Sequence, residues 1–192
     1  MRKNNKGLSL VELIVVIALM AVLIGIGTLS FALLFGTQAK ACAQNFSGIL
    51  NETKTGCMSR YDETMTFSFR KKLQDTDPAY EQAITSDGYY SENVVSTIDS
   101  NAQEVEVGDS QIRRMGSSRV VIHVYLPDRT DFEMGETDSI TVSFKRASGA
   151  FDKIIVNGTE KDAYITKMTF QSGLRTYTIT MVPETGKHTL QG

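Results

Sequence analysis

Little in this chain is suited to catalysis or metal binding. It has two histidines, His123 and His188, two cysteines, Cys42 and Cys57, and no tryptophan among 192 residues. The G-x-S-x-G elbow, the H-E-x-x-H helix, the phosphate-binding loop and paired C-x-x-C are all missing. That excludes the hydrolases, metallopeptidases, nucleotide-binding domains and zinc ribbons that depend on them. Gly25-x-Gly27 falls inside an apolar run, where it cannot serve as a nucleotide fingerprint. Cys42 and Cys57 would stand about 22 Å apart on one continuous helix, so a disulfide between them needs that helix to break. They read as packed thiols, too few for a metal site. The chain is read as not an enzyme, with no cofactor and no metal.

Positive charge is also scarce where a nucleic-acid surface would need it. The first seven residues hold three of the 20 basic residues and the apolar run holds one of the 22 acidic ones, which leaves 17 basic against 21 acidic residues for the remainder. A mildly acidic domain gains little from counterion release, so nucleic acid is an unlikely partner. Arg113, Arg114 and Arg119 form a loop-borne basic cluster, the one place where a phosphate or an acidic partner would gather; charges beside a loop are otherwise simply solvated. Asp128, Asp131, Glu133, Glu136 and Asp138 lack EF-hand spacing and read as a solvated hairpin tip.

What the chain does have is a long hydrophobic run. Leu8 to Phe35 contains one formal charge, Glu12, and about 20 apolar residues suffice for a helix to cross a bilayer. Arg2, Lys3 and Lys6 precede it without an acid, a flank that stays cytoplasmic and leaves the carboxyl-terminal part outside. The run is longer than the apolar core of a secretory signal and carries an acid. A lipoprotein signal ending at Cys42 would put Lys40 where a small or apolar residue belongs. A plain anchor explains the hydrophobicity but not Glu12, whose carboxylate costs about 2.5–3.5 kcal/mol deep in a bilayer. A cut between Gly7 and Leu8 would create an ammonium group about one helical turn from that carboxylate. Between neighbouring helices, such a pair would also set axial register, as one buried polar group does in coiled coils.

Lys6-Gly7-Leu8-Ser9-Leu10-Val11-Glu12-Leu13 resembles the processing site of type IV prepilins and of the pseudopilins of type II secretion. The resemblance implies that a membrane-embedded prepilin peptidase cuts between Gly7 and Leu8 and methylates the new amino terminus at Leu8, and that Glu12 is needed for assembly. It also implies other pilins or pseudopilins as partners, with an inner-membrane platform protein and an assembly ATPase acting indirectly. Many members carry a proline within the span, and this chain has none. Gly25 and Gly27 are its weak points, since each glycine costs a helix interior up to about 1 kcal/mol relative to alanine.

Beyond Gly36 the pattern stays helical but becomes two-sided. Ala39, Cys42, Ala43, Phe46, Ile49, Leu50 and Cys57 fall at helical spacing, with Lys40, Gln44, Asn45, Asn51, Glu52 and Lys54 on the other side. One helix is expected from Leu8 to about Arg60, weakened at its end by Gly48 and Gly56. Alternation then predicts strands at Met65–Phe69, Val120–Leu126, Ile140–Phe144, Phe151–Val156, Tyr164–Gln171 and Tyr177–Met181. Gly149, Asn157-Gly158 and Ser172-Gly173 suit hairpin turns and antiparallel pairing. Residues 71–118 read as an irregular insertion with loops at Asp75–Pro78, Ser86–Gly88 and Asn101–Gly108 and a short helix near Ser91–Ser100. Ile140–Gly149 followed by Tyr177–Lys187 resembles the strand pair and closing turn of minor pseudopilins of the GspH/FimT type.

The expected fold class is α+β and pilin-like, a long amino-terminal helix packed on an antiparallel β-sheet domain. The expected organisation is a basic leader at 1–7, a transmembrane and assembly helix at 8–35, an amphipathic half at 36–60 and a β-rich domain at 61–192. The function expected is that of a pilin-like, minor subunit of a type IV pilus or a type II secretion-like filament, single-pass in the membrane and then part of an envelope or surface filament. The competing readings are a competence or adhesive minor pilin that binds DNA or a surface, and a membrane-tethered binding domain that never polymerises.

Overall fold

The computed structural model describes residues 10–60, 63–71, 88–98, 104–106, 111–127, 131–161 and 164–192, the side chains of residues 26–35, 63, 64, 98, 104 and 105 excepted. Helix α1, Leu10–Ser59, is one unbroken element of 50 residues, about 75 Å long at 1.5 Å per residue. It runs through Gly25, Gly48 and Gly56 without interruption. At Gly56 the helix lies close under Met65, and a Cβ there would push the flexible end of that side chain aside. The two halves differ in what surrounds them. The large apolar side chains from Leu10 to Ile24 are each 48–74% exposed, whereas Ala39, Cys42, Ala43, Phe46, Ile49, Leu50 and Cys57 are buried.

The strands following the helix make an α+β fold of two sheets, every described pair antiparallel. In the first sheet β1 (Glu63–Arg70) lies between β2 (Gly88–Ile98) and β7 (Ser139–Phe144), and β7 continues to β8 (Phe151–Val156) and β9 (Thr159–Lys161). The outer edge of β2 is shared by β3 (Glu104–Glu106) and β4 (Gln111–Ser117). The second sheet runs β12 (Lys187–Gln191), β11 (Arg175–Val182), β10 (Lys167–Ser172), β5 (Val121–Tyr125), β6 (Asp131–Glu133). Asn157 and Gly158, with φ of 51° and 74°, turn β8 into β9, the type I′ geometry that suits the twist of a hairpin. Gly173, with φ of 60°, takes the first corner of the two-residue loop between Ser172 and Arg175, as a type II′ turn requires.

Helix and sheets meet at Phe46. Its ring lies 5.3 Å from Phe67 and 5.1 Å from Phe69 of the first sheet and 5.6 Å from Phe170 of the second. Phe69 in turn stacks on Tyr89 at 5.5 Å. Around this centre the helix is fastened by polar contacts. Asn45 Nδ2 donates to the Met115 carbonyl (2.9 Å), Cys57 Sγ to the Met65 carbonyl (3.0 Å) and Lys54 Nζ to the Thr185 carbonyl (2.8 Å). Both cysteines are free and buried, as one unbroken helix between them demands.

All six strands read from alternation are present in substance, although Tyr164–Thr166 precedes β10 rather than joining it. The region read as irregular, 71–118, is different: it contains β2, β3 and β4, and Ser91–Ile98 is strand rather than helix. The alternation there is hidden because Ser91 and Asn93, which stand opposite Phe69 and Phe67 of β1, are buried polar residues, so these inward positions do not look apolar. Asp75–Pro78 lies outside the described residues. The short strands β6, β9 and β12 were also not foreseen; they are three to five residues long. Ile140–Phe144 and Tyr177–Met181, expected to pair, belong to different sheets. The turns that follow them meet closely: a Cβ on Gly186 would overlap the Gly149 carbonyl oxygen.

Candidate functional site

The residues of the expected processing site, Gly7 and Leu8, lie outside the described residues. Glu12 is in the first described turn of α1 and is exposed among Leu10, Val11, Leu13 and Ile14. A helix apolar all round needs an apolar surrounding on every side, and this domain covers none of the described side chains from Leu10 to Ile24. Among the described residues no helix is long and apolar enough to cross a membrane; the described side chains stop at Gly25, and those of residues 26–35, the rest of the apolar run, lie outside them.

The basic cluster is not a loop. Arg113 and Arg114 are consecutive exposed residues of β4, beside the point where its register against β2 shifts, while Arg119 sits in the turn after it. Arg113 grips Glu52 of α1 through two bonds of 2.6 and 2.9 Å and also donates to Gln111 Oε1 at 2.7 Å. Strand β4 and the helix frame a groove of about 360 Å³ lined by Gln44, Asn45, Glu52, Arg113 and Arg114 among others. A guanidinium already clasped by a carboxylate is a poor phosphate receptor, because the bidentate fork is used. Both partners are more than 40% exposed, so the pair contributes at most about 1 kcal/mol. A double-mutant cycle with Glu52→Ala and Arg113→Ala, followed by denaturant unfolding, is expected to return a coupling of about 0.5–1 kcal/mol that falls with added salt.

Of the acidic stretch, Asp131, Glu133 and Glu136 are exposed and Asp138 is committed to structure. Asp131 and Glu133 sit on β6, and Asp138 accepts from the Gly135 backbone N–H and from Asn157 Nδ2, both at 2.7 Å. Asp128 lies outside the described residues. Among the described residues no group of three or more His, Cys, Asp or Glu is placed to hold a metal ion. His123 on β5 lies 4.0 Å from Glu133.

One polar contact had no signal in the sequence. His188 on β12 places Nε2 2.9 Å from Ser47 Oγ and 3.1 Å from the Ser47 carbonyl, tying the last strand to the helix. Burial holds this imidazole below its ordinary value of 6.5, helped by the charge of Lys54 and opposed by the backbone contacts with Ser47 and Gly186. The folded state thus prefers neutral His188. As pH falls through 6.5 the unfolded chain takes a proton first, and stability drops until the folded imidazole also titrates. The His188 ring signal in NMR is expected to titrate below 6.5, and His188→Gln is expected to flatten this part of the stability profile. Burial also pushes the Cys42 thiol up to about 12. A Cβ on Gly116 would lie 2.7 Å from Cys42 Sγ, so the thiol is sealed beneath β4 and unreactive.

Similarity to a known family falls on the exposed apolar end of the helix. Residues 2–28 match the family model described as the prokaryotic N-terminal methylation motif. The chain carries a prepilin-type amino terminus. The match supports the type IV pilin and pseudopilin family, and the motif implies processing by prepilin peptidase and assembly with other pilins. The family is in general structural rather than enzymatic. No curated protein and no solved structure matches the chain, and the likeness of its carboxyl-terminal part to GspH/FimT-type subunits has no support beyond the residues themselves.

Proposed function

We propose that this chain is a pilin-like filament subunit, and a minor one, of a type IV pilus or a type II secretion-like machine. Its apolar run, 8–35, crosses the membrane with the basic leader 1–7 inside and the β domain outside. The peptidase cuts between Gly7 and Leu8 and methylates Leu8. Glu12 then draws the processed helix into a bundle of like helices, a step driven by the platform protein and the assembly ATPase. The observation that carries this reading is the matched motif at residues 2–28 running into an unbroken helix, Leu10–Ser59, whose 36–59 portion is part of the domain core. Pulling on such a helix moves the folded domain with it, as a filament subunit requires.

The non-polymerising tether is the rival, and fractionation separates the two. In cells producing the assembly machine, sheared filaments are expected to contain the chain beside other pilins. Recovery from the membrane alone, with filaments intact, would favour the tether. The clasp of Arg113 by Glu52 favours a structural subunit over one that collects DNA.

A further inference from the structure

Three contacts fix the direction of β11 relative to α1. The stem of Arg175, at the start of β11, lies so close to Gly36 that a Cβ there would be 2.8 Å from Arg175 Cγ. Met181, farther along β11, pairs with His188, which touches Ser47. Thr185, just past the end of the strand, accepts from Lys54. Strand and helix therefore run side by side in the same sense, and the β10–β11 hairpin tip points toward the apolar end of α1. Leu10 to Phe35 is about 39 Å of helix, close to the roughly 40–45 Å of a bilayer with its headgroups. Gly36 then stands at headgroup level on the outer side, with the tip beside it.

The residue at that tip is Leu174, 93% exposed, more than any other large apolar residue described. A lone exposed leucine is ordinary on a protein surface; this one is held at the membrane boundary next to a cation. Its loop is the tight turn cornered by Gly173, and Arg175 lays its aliphatic stem on the helix while the side chain remains exposed, the posture of a snorkelling residue. Lys40, one turn beyond Gly36, is exposed as well.

We propose that, while the chain is anchored and before it joins a filament, the Gly173-Leu174 turn rests in the outer membrane surface: Leu174 dips into the acyl boundary and Arg175 takes a lipid phosphate. The inference rests on the membrane reading of the apolar run. An interfacial residue of this kind sits about 5–10 Å into the headgroup and acyl boundary, and holding the tip there would keep the domain upright over its own anchor.

The chain has no tryptophan, so Leu174→Trp gives the full chain a single indole. In vesicles of phosphatidylcholine and phosphatidylglycerol, its emission is expected to shift to the blue and to be quenched about twofold by lipid brominated near the headgroup, the depth expected for an interfacial side chain. Glu184→Trp, beyond the other end of β11, is expected to emit as in water and escape quenching. Adding Arg175→Glu to Leu174→Trp is expected to reduce the quenching, and unchanged quenching would overturn the phosphate contact. If the chain floats with the vesicles and the indole at position 174 stays unquenched, the inference fails and the membrane reading survives. If the chain does not float with them, both fail.

Discussion

Phe46→Ala is expected to lower the unfolding free energy of the β domain by about 3–5 kcal/mol, the usual cost of deleting a buried aromatic ring. The ring is fully buried and touches Phe67, Phe69 and Phe170, so its loss opens a cavity where the helix and both sheets meet. Aromatic pairs add about 0.5–1.5 kcal/mol each beyond burial, and no neighbour can close on the gap without separating a sheet from the helix. Phe46→Leu keeps most of the volume and is expected to cost less than half as much. Denaturant unfolding of a chain beginning at Gln38 measures both. A loss under about 1 kcal/mol for the alanine variant, far below the usual range, would mean that the helix rests on the domain without completing its core.

Glu12→Ala is expected to leave insertion and cleavage intact and to abolish entry into filaments. Removing the carboxylate relieves at most about 2.5–3.5 kcal/mol of the cost of placing the run in a bilayer, so the variant anchors at least as well. The proposed cut between Gly7 and Leu8 lies outside the altered side chain. What disappears is the charge proposed to fix the depth of one helix against its neighbours. Quantifying the variant in membrane and sheared-filament fractions tests this, and incorporation at the parent level would assign Glu12 no part in assembly.

The amino-terminal half was legible because its signals are local. Glu12 within an apolar run, and Gly7-Leu8 before it, are read from consecutive residues with no knowledge of the fold. The packed face of α1 was legible for a similar reason: Ala39, Cys42, Phe46, Ile49 and Leu50 repeat at the helical period, and burial follows that period. Strands with one wet face, such as β5, β7 and β10, alternate in burial and were found by alternation. Strand β2 buries Ser91 and Asn93 opposite Phe69 and Phe67, so its inward positions carry no polarity contrast. The contacts of Arg113 with Glu52 and of His188 with Ser47 join residues 61 and 141 positions apart. Nothing local distinguishes such residues from solvated ones, and only the packing of β4 and β12 against the helix brings the partners together.

The central claim is that this chain is processed as a prepilin, and the mass of its mature amino terminus tests that most directly. In membranes from cells that carry the peptidase, mass spectrometry is expected to find a chain beginning at Leu8 with a methylated α-amino group. A chain that keeps Met1, or one cut near Ala41, would contradict it.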